Sequence, residues 1–532
     1  MLLSEKIYRI RTKAGLSGEK FAGILGVTKQ SVQKWEAGNA QPELSKLIKI
    51  SKSFNISLDA LVLDSDLRIT EDMHSGNVIK PDYASMQVCE TYHKNLLLEF
   101  EQCMDEGLDI EKYREVFESV QKMSDSSEKE EIADVLFRIV TTAKIRDDYK
   151  YTEPSDLQGI RLCRKDYDFD FKMPERAALE NKVRGAWEGR IAGCLLGKTV
   201  ECMHTDELIP FLTENGNYPM TRYISKSDAT DEICEKYQYR LKGRVYADGI
   251  DCAPADDDTN YTVMAQRIIE EYGRDFKPSD VGSTWLALQS KNAYCTAEQV
   301  AFCNLVNGYR PPQSALYKNP YREWIGAQIR ADYYGYINPG NPQAAAEMAW
   351  KDASVSHVKN GIYGAMFIAG VLACAAAVDT PKEALLGGLA QIPEKSRLYE
   401  KINDIIVRYE NGESAKQLFA YIHEQFDEYN SHGWCHTISN AMIVTASLLC
   451  GQGDFGKSIC MAVETGFDTD CNGATVGSIV GMLYGADCID SVWTAPLNGR
   501  LKTNLFGSQE VKIEELVQKT VRHIDLSKLA PL

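Results

Sequence analysis

The feature that most constrains this chain is a pair of glycine ladders. The segment GAWEGRIAGCLLG sets Gly185, Gly189, Gly193 and Gly197 four residues apart, and GATVGSIVGMLYG does the same with Gly473, Gly477, Gly481 and Gly485. Residues i and i+4 share one face of a helix, so each segment predicts a helix carrying a smooth stripe. Glycine costs a helix about 1 kcal/mol relative to alanine. Four in register therefore need compensation, and close approach of another helix backbone supplies it. Chance glycines in ordinary core helices do not explain two such runs. Membrane helices use similar spacing, but these segments are short and interrupted by charge, and no apolar run of about 18 residues occurs in the chain.

What lies at the ends of the ladders points to chemistry. Glu201 follows the first, and Gly466-Phe467-Asp468-Thr469-Asp470 immediately precedes the second. If the stripes pack antiparallel, Glu201 meets Asp468 and Asp470. A third acidic cluster, Asp256-Asp257-Asp258-Thr259, precedes another helical run, Tyr261–Tyr272. One Asp at a helix start is ordinary, because its carboxylate caps free N–H groups and meets the positive end of the dipole. Three consecutive ones repel each other and need a cation or full solvation. Oxygen-only ligands favour Mg²⁺, Mn²⁺ or Ca²⁺ over zinc. A divalent-metal site built from Asp256, Asp257, Asp258, Asp468 and Asp470 is the expectation, with Glu201 delivered by the first ladder.

At 532 residues, two or three folding units are expected. The first residues, MLLSEKIYRIRTKAG, are charged throughout and lack an apolar signal core, and the 15 cysteines are scattered without a CxxC pair. Both observations predict reduced thiols in a cytoplasmic protein. The net charge of −17 hides an asymmetry: residues 1–62 hold ten Lys/Arg against five Asp/Glu, a balance of +5, which leaves −22 on the remainder. A basic head on an acidic body predicts that only the head meets a polyanion.

Residues 1–62 read as five short helices: Ser4–Ala14, Leu16–Leu25, Lys29–Glu36, Glu43–Phe54 and Ser57–Val62. Gly26-Val27-Thr28 is a tight turn with Thr28 as N-cap of the third helix, the helix-turn-helix pattern. Residues 63–175 read as a polar linker (Asp64–Pro81) and a helical extension (Tyr83–Asp105, Ile110–Lys122, Lys129–Ile145) that packs on a neighbour or mediates a dimer and carries no assigned chemistry. Residues 176–532 read as all-α, with loops rich in Gly, Pro, Asp and Asn.

The pattern LSGEKFAGILGVTKQSVQKWEAGNAQPELSKLIKIS resembles the phage-repressor-like helix-turn-helix family. The resemblance implies a third helix docked in the major groove of double-stranded DNA, with Lys29, Gln30, Ser31, Gln33 and Lys34 facing it and Thr28 at its start. It also implies an Arg11–Glu36 ion pair and binding as a homodimer. Gln bonds adenine edges, whereas Lys neutralises phosphate.

Four segments of the body, GRIAGCLLGKTVE, ADDDT, DASVSH and GFDTDCNGATVGSIVG, occur in the order that resembles the ADP-ribosylglycohydrolase family, which includes the dinitrogenase reductase-activating glycohydrolases. The likeness covers roughly residues 180–490. It implies an all-α bundle with two divalent cations, Mg²⁺ or Mn²⁺, in a cleft, and cleavage of the N- or O-glycosidic bond that joins ADP-ribose to a side chain or small molecule. Carried over by position, Asp257, Asp258, Asp468 and Asp470 are metal ligands, joined by Asp256. Glu201 lies near the scissile ribose, Glu201 or Asp258 takes the proton of the attacking water, and His357 and Asn360 sit in the substrate cleft. The pattern is broken at Asp256 (Ser or Thr is usual), Cys471 (Thr) and Cys194 (Asp). Residues 319–332 and 335–342 also depart from the best-known members, and Arg322, Glu323 and Arg330 are expected to line a cleft there. Two functions follow. One is a metal-dependent hydrolase of an ADP-ribosyl or related ribosyl compound fused to a DNA-binding module; the other is a transcriptional regulator whose C-terminal domain senses a ribosylated metabolite without turnover.

Overall fold

The computed structural model describes residues 2–54, 56, 58–62, 82–165, 167 and 171–524. The expected linker Asp64–Pro81 lies outside the described residues, as does Ser57. The chain forms two compact units, Met1–Met86 and Gln87–Leu532.

The first unit contains α1 (Leu3–Lys13), α2 (Gly18–Leu25), α3 (Lys29–Glu36), α4 (Leu44–Phe54) and α5 (Leu58–Val62). One apolar face of each helix supplies the core, which includes Ile7, Phe21, Leu25, Val32, Trp35, Leu47 and Ile50. Gly26 closes α2 in the left-handed conformation, at φ 65°. The Thr28 side chain then accepts the Ser31 N–H at 3.2 Å and starts α3. Arg11 and Glu36 form the expected ion pair, bidentate at 2.6 and 3.1 Å.

The second unit is helical apart from one antiparallel pair, β1 (Arg500–Lys502) and β2 (Glu510–Lys512). Its first part contains α6 (Leu96–Asp105), α7 (Arg114–Gln121) and α8 (Ser127–Thr142), packed around Phe100, Phe117 and Leu136. The helix expected over Tyr83–Asp105 forms only in its second half. Ahead of it, Asn95 donates to the carbonyls of Val88 and Thr91, and Thr91 Oγ1 to that of Val88. These side-chain bonds compete with helical backbone pairing and leave short 3₁₀ turns.

The ladders form α9 (Arg176–Lys198) and, after α10 (Asp257–Tyr272), α11 (Lys359–Ala375) and α12 (Thr437–Gly451), α13 (Thr469–Tyr484). They run antiparallel, stripe against stripe. A Cβ placed on Gly189 would lie 2.2 Å from the Gly477 carbonyl oxygen, and one on Gly193 would lie 1.9 Å from that of Gly473. The backbones touch along the whole stripe. Backbone contact and burial of the flanking apolar residues therefore supply what the glycines forfeit in helix propensity. The consequence is positional: the C-terminus of α9 is fixed against the N-terminus of α13.

Candidate functional site

Three helix ends converge on one acidic centre. At the end of α9, Thr469 Oγ1 donates to the Gly197 carbonyl at 2.9 Å, which ties the two ladder helices together. Beyond it the chain turns through Glu201, which is half-buried. The Tyr239 hydroxyl holds this turn, 2.7 Å from the Glu201 carbonyl and 3.2 Å from that of Thr199. At the start of α13, Gly466 and Phe467 both have positive φ, 76° and 57°. For a bulky residue this conformation costs on the order of 1–3 kcal/mol. It is held here by complete burial of the Phe467 ring, and it sets the entry of Asp468. The Asp468 N–H donates to Asn440 Oδ1 at 3.3 Å, and the same oxygen accepts from Asn472 at 2.8 Å.

At the start of α10, Asp256 does two jobs. Its Oδ1 caps the helix by accepting the Asp258 N–H at 3.0 Å, and its other oxygen is paired with the Lys198 ammonium. Asp258 is fully buried; Arg190 Nη2 donates to its Oδ1 at 3.0 Å, while Arg190 Nη1 pairs with Asp332 at 2.9 Å. Among the described residues the second carboxylate oxygen of Asp258, which is buried, has no hydrogen-bond partner. Oxygens of Asp258 and Asp470 lie with Cys471 Sγ inside a 4.8 Å sphere of mutual distances, as do those of Asp256 and Asp258 with Cys194 Sγ.

The electrostatics follow from this crowding. Glu201, Asp256, Asp257, Asp258, Asp468 and Asp470 share the centre with Lys198 and Arg190, and Arg190 is shared with Asp332. Burial, then the neighbouring carboxylates, push Asp257 and Asp470 well above the ordinary carboxylate range. Burial also raises Asp258 well above that range despite Arg190, and it raises Asp468 despite donors from its neighbours. Glu201 is pushed up to about 7 by burial and by Asp468 and Asp256. Asp256 is the exception: burial alone would raise it, but Lys198 holds it below its usual value. Burial beside the carboxylates puts the Cys194 and Cys471 thiols well above the thiol range. The carboxylate oxygens of the centre are hard donors of the kind that Mg²⁺, Mn²⁺ and Ca²⁺ prefer.

The other expected site residues are buried in the interior. His357 and Asn360 are fully buried. The His357 ring is bonded to Ser356 at 2.7 Å. Asn360 donates to Glu153 and Glu323 and accepts the Leu398 N–H. Among the described residues neither makes a hydrogen bond to the acidic centre. Arg322, Glu323 and Arg330 do not line a cleft; they are at most 5% exposed. Arg322 pairs with Glu99 and Glu106 of the helical extension, Glu323 with Arg397, and Arg330 with Glu298 and Asp352. A further cluster, Asp105, His432 and His436, has metal-ligand spacing but the wrong protonation. Trp324 Nε1 donates to His432 Nδ1 and the Ile438 N–H to His436 Nδ1, so each neutral ring carries its proton on Nε2 and offers no lone pair there.

Sequence reasoning missed Arg190 and Lys198. The signal was present: Arg190 interrupts the apolar part of the ladder and Lys198 directly follows its last glycine, where a charge needs a partner.

In the first unit, Thr28, Lys29, Gln30, Gln33 and Lys34 are exposed and Ser31 half-buried, while Val32 and Trp35 of the same helix face the core. The residues expected to meet DNA thus form the solvent side of α3. No helix among the described residues is long and apolar enough to cross a membrane.

Comparison with known proteins matches the head and the body separately. The Helix-turn-helix profile matches residues 7–61. The SPbeta prophage-derived uncharacterized HTH-type transcriptional regulator YonR of Bacillus subtilis (strain 168) is 36% identical over 61 residues, 12% of this chain and 56% of that protein. The HTH-type transcriptional activator BcrR of Enterococcus faecalis is 30% identical over 83 residues, 16% of this chain and 41% of that protein. The chain thus spans about half the length of these curated relatives. A solved structure described as an ADP-ribosylglycohydrolase-related protein complex aligns with 66% of this chain and 99% of its own, at 18% identity and a TM-score of 0.43. The ADP-ribosylglycohydrolase profile matches residues 175–527 and takes in all three acidic segments. The chain belongs to the ADP-ribosylglycohydrolase family and carries a helix-turn-helix domain ahead of its glycohydrolase domain.

Proposed function

We propose that the protein is a cytoplasmic, metal-dependent hydrolase that cleaves an N- or O-glycosidic bond of an ADP-ribosyl or related ribosyl compound, and that its head binds double-stranded DNA as a homodimer. One observation carries the enzymatic reading. Six carboxylates from three distant segments meet at the end of the ladder pair, and among the described residues only Asp256 and Asp258 of these are ion-paired with a side-chain cation. Buried carboxylates in such excess are sustained by a bound cation. The orphaned Asp258 oxygen and the predominance of carboxylate donors fit Mg²⁺ or Mn²⁺. Asp257, Asp258, Asp468 and Asp470, with Asp256, would hold two such ions. When bound, they supply Lewis acidity towards ribose hydroxyls and water.

The chain's own residues supply the rest. Breaking a bond at the anomeric carbon develops oxocarbenium-like positive charge, which the surrounding carboxylates stabilise. Glu201, half-buried at the edge of the centre, takes the proton of the attacking water, with Asp258 as the second candidate. Arg190 fixes Asp258 from behind and Lys198 fixes Asp256, so neither carboxylate has to reorganise during the reaction. Cys194, in place of the usual Asp, lies against Asp256, in place of the usual Ser or Thr, so a carboxylate missing on one helix is present on its neighbour.

The test is release of ADP-ribose or ribose from a panel of N- and O-ribosides by full-length protein with Mn²⁺, run beside Asp258→Asn and Asp470→Asn. Wild type should turn over only with metal, and both variants should lose Mn²⁺ binding and activity together. Absence of turnover with Mn²⁺ bound would reject the enzyme. Ligand-dependent DNA affinity without product would instead establish a regulator that senses a ribosylated metabolite.

A further inference from the structure

Buried guanidinium groups in this molecule are held by pairs of carboxylates. Arg190 is held by Asp258 and Asp332, Arg322 by Glu99 and Glu106, Arg330 by Glu298 and Asp352, and Arg397 by Glu153 and Glu323. Arg164 is half-buried and has no carboxylate partner among the described residues. Its Nε donates to the Gln391 carbonyl at 2.7 Å, and its Nη2 is buried without a hydrogen-bond partner among those residues. The backbone around it is fixed, because Arg164 pairs with Pro393 and the Glu394 N–H donates to the Cys163 carbonyl at 2.9 Å. Burial pulls the Arg164 pKa down to about 10, whereas those of the four paired arginines are raised by their carboxylates.

Arg164 lines a cavity of about 500 Å³ together with Arg161, Lys165, Phe171, Gln343 and Gln391. Among the described residues three cations and no carboxylate line it. Glu347 pairs with Arg161 at 2.6 Å and Glu394 with Lys165 at 3.6 Å, both from outside the lining. On the cavity wall, Gly340 packs against Met173, whose Sδ a Cβ at Gly340 would approach to 2.5 Å. Met173 shortly precedes α9, whose 23 residues span about 35 Å. The cavity and the acidic centre therefore lie at opposite ends of that helix. A buried charge without a partner is costly, and a bound anion removes the cost. Three cations favour a multiply charged oxyanion over a lone carboxylate, and a guanidinium offers a phosphate paired N–H donors. The volume is that of a small-molecule site, in which Phe171 and the amides of Gln343 and Gln391 receive an organic remainder. We propose that this cavity is a ligand site separate from the acidic centre, and that it takes a small organic phosphate through Arg164.

The experiment is calorimetric titration of phenyl phosphate, inorganic phosphate and benzoate into full-length protein without added metal, with the melting temperature measured alongside. Wild type should bind phenyl phosphate more tightly than inorganic phosphate, bind benzoate least, and melt higher with phenyl phosphate present. Arg164→Met should weaken phenyl phosphate by about tenfold to a hundredfold, the worth of a hydrogen bond to a charged group. Its ligand-free melting temperature should equal or exceed that of wild type, because an unpaired buried charge has been removed. Gln343→Glu puts a carboxylate at an exposed position of the lining and should weaken phenyl phosphate as well; it decides the matter if Arg164→Met does not fold. Failure of wild type to bind either phosphate, or wild-type affinity in these variants, overturns the site. Benzoate binding as tightly as phenyl phosphate overturns the assignment to phosphate. A fall in the ligand-free melting temperature of Arg164→Met overturns the view that its charge awaits a ligand.

Discussion

Replacing Gly197 by alanine tests whether the glycine ladders set the geometry of the acidic centre. A methyl group there would lie 2.2 Å from the Thr469 carbonyl oxygen and 2.3 Å from the Asp470 nitrogen. Ordinary contact begins at 3.4 Å, so α13 has to retreat by about 1.2 Å. Both obstacles are backbone, and the stripe is locked further along, where Gly193 faces Gly473 and Gly189 faces Gly477. Overpacking costs about 1–3 kcal/mol, and more where nothing can relax, so a loss of about 3 kcal/mol is expected. If the helix ends splay to relieve the clash, Asp468 and Asp470 move away from Lys198 and Glu201 by a similar distance. A misplacement of about 1 Å is enough for a loss of about a hundredfold in activity. Thermal unfolding with and without Mn²⁺, together with Mn²⁺ titration, reads both effects. Gly23→Ala is the control, because it lies in α2 and a Cβ there meets nothing within 4 Å; it should be neutral or stabilising by up to about 1 kcal/mol. Wild-type stability and Mn²⁺ affinity in Gly197→Ala would refute the idea that backbone contact fixes these carboxylates.

Two further outcomes are expected. Glu201, Asp257, Asp258, Asp468 and Asp470 have raised pKa values, Glu201 to about 7, from burial and mutual repulsion. An acid whose folded pKa is raised binds more protons folded than unfolded, so stability falls as pH rises through that value. Asp256 has the opposite shift, which acts only below the ordinary carboxylate range. In EDTA the melting temperature should therefore drop between pH 6.5 and 8, above the range in which the buried neutral histidines contribute, and Mn²⁺ should remove most of the drop; a flat profile in EDTA would show that the repulsion is absent. In the head, Lys29→Ala and Lys34→Ala should weaken binding to any DNA and reduce the salt slope by about one unit each, whereas Gln33→Ala should lose about 1–3 kcal/mol only on the preferred sequence. Fluorescence anisotropy at several salt concentrations separates these, and a uniform loss for Gln33→Ala would contradict base reading.

Much of the fold and of the candidate site was legible because its signals are local. The spacing of four residues in each ladder defines a helix face, and the positions of Glu201 and of Asp468 and Asp470 at opposite ladder ends made their meeting a consequence of antiparallel packing. Thr28 after Gly26 announced a turn and a cap, both of which form. Asn360, Arg322 and Glu323 were not legible in the same way. Their partners come from chain segments far away: Glu323 accepts from Gln102, 221 residues distant, and Arg322 donates to Glu106, 216 residues distant. No local periodicity reports such pairings, so a run of charges reads as a cleft when it is a buried network.

The sequence by itself determined the helical architecture, the two stripes and which residue types gather at the end of the ladder pair, because these follow from backbone periodicity and from repulsion between like charges. The tertiary structure decided which of those charges are already neutralised. Lys198 takes Asp256 and Arg190 takes Asp258, whereas among the described residues Asp257, Asp468 and Asp470 have no direct ion pair. The reason is physical: a charge is compensated by distance in space, and only the packed helices fix those distances.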